Sequence, residues 1–294
     1  MKYLSTFSGI GGFELAIGGK AECIGYSEID KYASAVYKHN FPTHVAYGDI
    51  TKIRPEDLPD FDLLIGGFPC QSFSIAGRKR GFDDTRGTMF FELARIAKYK
   101  RPRLLLFENV KGLLSHDQGR TFGVIITTLD ELGYDCQWQV LNSKSWIPQN
   151  RERIYIVGHL RGTPRPQVFP IGESDKKHIR EADEQGCAST LTARSASGTN
   201  RRGNYIIHNV YGGFGEGVRE FHDYAPTIRT AAGGGHIPCV VEGQKIRRLT
   251  PIECERLQGF PDNWAQGASD TQRYKMCGNA VTVDTVQKII QKLL

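Results

Sequence analysis

Up to about residue 160 the chain alternates short apolar runs with segments of helical period, and few folds accept that alternation. The runs Tyr3–Phe7, Cys23–Tyr26, Phe61–Ile65, Leu104–Phe107, Gln137–Leu141 and Ile154–Val157 are predicted strands. Asp30–His39, Met89–Lys98 and Val124–Leu132 carry helical spacing between them. Strands alternating with helices imply βαβ units, so the expected fold is α/β with a doubly wound, mostly parallel sheet. Such a sheet binds ligands in the crevice beyond the carboxyl ends of its strands.

The pattern then breaks. From roughly Arg161 to Gly243 the chain is rich in Gly, Arg, Thr, Ser and Asn, which reads as a small, irregular second domain. Within it Ala188–Ala193 is echoed by Ala225–Ala231, two copies being too few for a solenoid. Helical character returns at Thr250–Gln258, where Thr250 suits an N-cap, Pro251 the first turn and Glu253 a capping box. A last helix is expected over about Ala280 to Leu293, with Val283, Val286, Ile290 and Leu293 on one face. The expected division is residues 1–162 for the large domain, 163–245 for the small one, 246–273 as a hinge and 274–294 as a returning C-terminal helix.

Composition narrows the class of protein. No stretch approaches the roughly 18 consecutive apolar residues of a membrane helix, and the first residues, Met1-Lys2-Tyr3-Leu4, lack a signal-peptide layout. The 7 cysteines are scattered without a C-x-x-C pair, which points away from a zinc site or a disulfide framework and toward a reducing compartment. A formal net charge of +6, with arginines concentrated in predicted loops and after residue 160, suits a polyanionic partner.

Two loops carry the chemistry. Phe61–Ile65 runs into Gly66-Gly67-Phe68-Pro69-Cys70-Gln71-Ser72, which sets a thiol between a proline and a glutamine at a strand end. The first strand ends in Phe7-Ser8-Gly9-Ile10-Gly11-Gly12, where glycines let backbone approach a ligand closely. A dinucleotide fingerprint wants another glycine at position 14, which is Glu14, so the loop suits a different adenosine ligand. Glu28 ends the second strand, where an acid can bind ribose hydroxyls, and Asp49 follows Val45–Tyr47 within reach of an adenine amino group. Glu108 follows Leu104–Phe107, so it too sits at the rim; Arg151 and Arg153 alternate before Ile154 and face one side.

These segments resemble the motifs of the cytosine-C5 DNA methyltransferases. Phe7–Gly12 is similar to their cofactor loop, Gly67–Gln71 to their nucleophile loop, Glu108-Asn109-Val110 to their acidic motif and Gln149–Arg153 to their arginine motif. Arg248–Pro251 through Leu257–Pro261, and Gly278–Val281, resemble the last two blocks, in the family's order. The resemblance covers nearly the whole chain except about residues 162–243, where the variable target-recognition region falls. It implies a Rossmann-like methyltransferase sheet with S-adenosylmethionine as cofactor, double-stranded DNA as substrate and no metal. Catalysis would fall to Cys70 as nucleophile and Glu108 as proton donor to the ring nitrogen. Pro69 and Asn109 would fix the loop, Arg153 would position Glu108 and Arg151 would bind the base. The cofactor pocket would comprise Phe7, Ser8, Gly9, Ile10, Gly11, Glu28, Ile29, Asp49, Ile50, Gly67, Phe68, Met89, Asn279 and Val281. A basic lid after Cys70 would bring Ser74, Arg78, Arg80 and Arg86 to DNA. Thr190 and Arg194, or Thr227 and Arg229, would do so from the recognition region; which Thr-Leu/Ile pair reads bases stays open. The same resemblance implies a bacterial, cytoplasmic, nucleoid-associated monomer, with a cognate restriction endonuclease as a candidate partner. The competing expectations are a tRNA cytosine-C5 methyltransferase, a silent DNA-binding relative and, more distantly, a nicotinamide-dependent dehydrogenase.

Overall fold

A computed structural model of the chain describes residues 1–69, 89–172, 207–209, 219–221, 224–229, 239–242 and 245–294. Six strands form the central sheet: β1 (Lys2–Thr6), β2 (Glu22–Ser27), β3 (Leu63–Gly67), β4 (Leu104–Val110), β5 (Tyr134–Asn142) and β7 (Glu152–Leu160). Their order is β2-β1-β3-β4-β7-β5. The first four are mutually parallel, whereas β7 runs antiparallel between β4 and β5. The helices α1 (Gly12–Ile17), α2 (Lys31–Asn40), α3 (Met89–Lys100) and α4 (Arg120–Glu131) alternate with the strands. The expected α/β, mostly parallel fold is present, with an antiparallel pair completing one edge.

The central strands β3 and β4 are apolar at Leu63–Ile65 and Leu104–Phe107 because both faces are covered there. Leu104 and Leu106 join the core beneath α1 and α2, together with Leu63, Ile65, Tyr155 and Val157. Their neighbours Leu105 and Phe107 join the opposite core, against Phe90 and Leu93 of α3 and Ile125 and Leu129 of α4. This alternation is the period of two expected of a strand. α2 begins where Asp30 accepts the N–H groups of Tyr32 and Ala33, so its N-terminal donors are satisfied by its own cap.

Three helices end the chain: α5 (Pro251–Leu257), α6 (Asp270–Asn279) and α7 (Val283–Leu293). The capping box forms as expected, Thr250 and Glu253 exchanging side-chain bonds with each other's backbone. α7 packs against α1 and buries Val286, Ile289, Ile290 and Leu293. α7 is the last helix expected over about Ala280 to Leu293, but residues 274–294 are not one helix: α6 precedes α7, and the chain is extended at Ala280 between them. The apolar residues buried from α6, Met276 and Cys277, are adjacent at its end, so the segment lacks the periodicity that marks a helix in sequence. Val45–Tyr47 also differs, contributing one isolated bridge between Tyr26 and Ala46.

In the expected recognition region β8 (Ile207–Asn209), β9 (Arg219–Phe221), β11 (Cys239–Glu242) and β12 (Lys245–Arg248) form an antiparallel sheet. A separate two-residue strand, β10 (Ala225–Pro226), pairs parallel with β6 (Gln149–Asn150), beside the start of β7. Among the described residues no helix is long and apolar enough to cross a membrane.

Candidate active site

Glu108 faces the same side of the sheet as Leu104 and Leu106, and pairs across the ladder with Tyr155. Arg153 lies opposite Val110, one diagonal step away, and its Nε sits 3.0 Å from the Glu108 carboxylate. The two side chains are only 12% and 15% exposed, so solvent screens this pair weakly. Burial pushes the Glu108 carboxyl above the ordinary range, against the opposing pull of Arg153 and then Arg151. A carboxyl raised by burial holds its proton to higher pH than a free one, which is the direction a proton donor needs. Gly67 completes the niche, since a Cβ there would lie 3.1 Å from Glu108 Oε2.

Asn109, next to Glu108, points to the other side. Its Nδ2 donates to the Phe68 carbonyl at 2.8 Å, and its Oδ1 accepts the Val110 N–H at 2.8 Å. Phe68 is buried against Phe90 and Phe107. The chain leading to Pro69 is therefore fixed twice, by a ring in the core and by an amide on its carbonyl. Pro69 is exposed. Cys70, Ser74, Arg78, Arg80, Arg86, Thr190 and Arg194 lie outside the described residues.

Arg151, expected at the base, makes main-chain bonds among the described residues. Its guanidinium is buried and donates to three backbone carbonyls: Ile228 at 3.2 Å, Gly278 at 3.2 Å and Ala280 at 2.8 Å. Burial and the neighbouring Arg153 push it down to about 9, so it stays charged at neutral pH. The parallel β10–β6 pairing brings residues 225–228 over Arg151. Gln149, which sequence reasoning left without a task, works beside it. Its side chain accepts the Ile228 N–H at 3.1 Å and donates to the Leu257 carbonyl at 2.5 Å. Gln258 extends the network to Cys277 O and Thr282. Thr227 Oγ1 donates to Asn150 O at 2.7 Å, and Arg229 is exposed.

The glycine loop lies beyond β1. Phe7, Gly9 and Gly11 all have positive φ, at 50°, 55° and 89°. A Cβ at Gly9 would meet none of the described residues within 4 Å, so among them this stretch of backbone is uncrowded. Ser8 and Ile10 are buried, so they present backbone rather than side chain there. Ile10 O accepts the Trp264 indole N–H at 2.7 Å, a brace that no local sequence signal announces. Glu28 accepts the N–H groups of Gly9 and Asp30, both at 2.8 Å, one on each oxygen. It thus holds the loop, with lone pairs left for a ligand hydroxyl. Ile29 beside it is 76% exposed. Asp49 caps the turn at Ile50 by accepting from Thr51 N–H and hydroxyl, and Ile50 is buried. Met89, half-buried, opens α3; Asn279 is exposed at the end of α6; Val281 touches both Gly12 and Gly67. The structure therefore gathers the glycine loop, Gly67 and Val281 around one rim, with Glu108 on it.

The comparisons with known proteins agree along the whole chain. The family model for C-5 cytosine-specific DNA methylase matches residues 1–212 and 173–294. The Type II methyltransferase M1.ScrFI of Lactococcus lactis subsp. cremoris is 42% identical over 100% of this chain and 78% of its own length. The Type II methyltransferase M.HhaI of Haemophilus parahaemolyticus is 36% identical over 98% of this chain and 93% of its own. The solved Dnmt2 methyltransferase of S. pombe shares the fold, with a TM-score of 0.69 at 18% identity, covering 100% of this chain and 98% of that one. Family model and full-length relatives together mean that this chain belongs to the C-5 cytosine-specific DNA methylases and is a DNA (cytosine-5)-methyltransferase.

Proposed function

We propose that the protein moves a methyl group from S-adenosylmethionine to C5 of a cytosine flipped out of duplex DNA, through a transient bond between Cys70 and C6. The observation that carries this reading is the weakly screened Glu108–Arg153 pair beside Gly67, with Phe68 anchored two residues before Cys70. Cytosine C5 is a poor nucleophile. Thiolate addition at C6 makes it enamine-like, and negative charge develops toward N3 as that bond forms. Glu108 is set to give N3 its proton while Arg153 holds the carboxylate that results. After methylation C5 loses its proton to a base, N3 returns the one it gained, and the Cys70–C6 bond breaks to restore aromaticity. Flipping the base costs roughly a few kcal/mol, which contacts from the recognition region would offset.

The residues present fit the cofactor. The uncrowded backbone at Gly9, the exposed Ile29, the remaining lone pairs of Glu28 and the nearby Asp49 suit an adenosine, while Gly67 borders Glu108 and Val281 lies beside Gly67. When bound, the cofactor supplies a methyl group already activated by its sulfonium charge. Residues 1–162 would form the catalytic and cofactor-binding part and 163–245 the target-recognition part. The names of the Type II relatives favour a place in a restriction-modification system, acting on bacterial DNA.

The test is duplex DNA carrying 5-fluorocytosine at the target base. Fluorine replaces the proton that must leave C5, so the adduct should persist on a denaturing gel when cofactor is present. Cys70→Ala should abolish the adduct and methyl transfer while leaving cofactor affinity within about threefold, as expected for a nucleophile whose removal spares ground-state binding. An adduct undiminished in Cys70→Ala would sink the assignment.

A further inference from the structure

A buried acid lies behind the glycine loop, and the catalytic reading gives it no task. Glu14 stands where a dinucleotide-binding loop would carry glycine, in α1 directly after Phe7–Gly11. It is 4% exposed. Oε1 and the Tyr37 hydroxyl are hydrogen-bonded at 3.0 Å, and among the described residues no group bonds Oε2 in good geometry. An unpaired carboxylate oxygen in the interior is costly, whereas the carbonyl oxygen of a neutral acid tolerates the same position better.

The surroundings form a chain between the loop and the surface. Tyr37 Oη is also 3.0 Å from His44 Nδ1, and His44 is half-buried. On the loop side the Ser5 hydroxyl favours the ionised form of Glu14 and lies 2.9 Å from Ser8 Oγ. Tyr3 from β1, Cys23 from β2 and Tyr37 from α2 are the titratable groups facing the acid. On α7, the other element packed on α1, Asp284 interacts with Lys288 and lies beside Gly259. No cation is among the causes that shift Glu14, and burial raises its carboxyl from 4.5 to about 7. Burial pushes His44 down, which favours the neutral ring, and its Nδ1 is placed to accept from the Tyr37 hydroxyl.

We propose that Glu14 is a positioning residue of the cofactor loop whose ionisation is coupled to binding of the sulfonium cofactor, with Tyr37 and His44 carrying its proton to solvent. This rests on the cofactor reading above. In the unbound protein Glu14 O–H donates to Tyr37 Oη, and the Tyr37 hydroxyl donates to His44 Nδ1. When the cation arrives, His44 Nδ1 takes the tyrosine proton and Tyr37 takes the proton of Glu14. His44 then releases its Nε2 proton to water. One proton leaves, and the Tyr37 bond to Glu14 reverses to donate to a carboxylate.

Calorimetric titration with S-adenosylmethionine, in two buffers of different ionisation enthalpy at neutral pH, reads the protons released. Wild type should release a fraction of a proton and bind more tightly as pH rises from about 6 to about 8. S-adenosylhomocysteine, which lacks the sulfonium charge, should release less. Glu14→Gln should release none and lose the pH dependence. Tyr37→Phe keeps the ring but removes the bond that favours the carboxylate, so its proton release should move to higher pH. Independently of any ligand, a carboxyl raised on folding contributes stability that is full below 4.5 and lost as pH climbs to about 7. Glu14→Gln should flatten that part of the stability profile. Binding with equal proton release in wild type and both variants would overturn this inference alone; no binding of S-adenosylmethionine would overturn the cofactor reading with it.

Discussion

Arg151 and Arg153 are two residues apart, face the same acid and do different work. Arg153 keeps its bond on a carboxylate, at the rim beside Gly67. Arg151 gives its donors to backbone carbonyls 77, 127 and 129 residues away, and so welds the start of β7 to residue 228 and to the segment between α6 and α7. The first arrangement leaves a charge available to chemistry. The second uses a charge to satisfy carbonyls where several chain segments meet. Reactive geometry at the rim thus depends on a junction behind it, and the two can be separated by what each variant damages.

The largest expected effect is on chemistry. Glu108→Gln keeps the size of the side chain but removes the proton donor, so methyl transfer should fall by roughly 10²–10⁴-fold. Stability should change little, or rise at alkaline pH. Burial raises the Glu108 carboxyl, and such a group contributes stability that fades as pH rises through its folded value. Single-turnover methylation beside urea melts measures both. A large loss of stability with modest loss of turnover would move Glu108 from rim to junction.

The reverse pattern is expected at the junction. Arg151→Met leaves three buried carbonyls without their donor, at a cost of about 1–3 kcal/mol for each group that finds no water. Urea denaturation should show a loss of about 3 kcal/mol or more. Turnover of the folded fraction should fall less than in Glu108→Gln. If Arg151→Met instead melts like wild type and abolishes transfer, the guanidinium acts at the base after all.

That division was only half legible in the sequence. Burial of the sheet could be read directly, because Leu104–Phe107 is apolar at every position and both faces needed cover. The position of Glu108 at a strand end could be read the same way, whereas its pairing with Arg153 rested on the family resemblance, since strand period alone does not give the register between strands. The resemblance implies that Asn109 fixes the nucleophile loop, and its bond falls on the Phe68 carbonyl. The partners of Arg151 were out of reach for a physical reason: they are backbone carbonyls, which carry no residue-type signal, and they arrive through a two-residue strand pairing. Trp264 bracing Ile10 from 254 positions away is the same case. Local chemistry leaves a trace in residue type and spacing, whereas a junction built on main chain leaves almost none.

The smallest effect tests which part of the recognition region the junction holds. Thr227 and Thr190 lie in similar Thr-containing repeats, and Thr227-Ile228 is bound to the sheet domain at several points. Its hydroxyl meets Asn150 O, the Ile228 N–H meets Gln149, and Ile228 packs with Leu249, Cys254 and Leu257. Thr227→Val keeps the shape and loses one partly exposed hydrogen bond, worth about 0.5–1.5 kcal/mol. The melt should shift by no more than that. If this segment is the one presented to DNA, KM for duplex substrate should rise several-fold with turnover at saturation nearly unchanged, because the bond aligns a contact rather than a reacting atom. Thr190→Val would then be close to silent in the same assay. A rise in KM confined to Thr190→Val would reverse the assignment: the junction at Thr227 would be a clasp, and bases would be read from the other repeat.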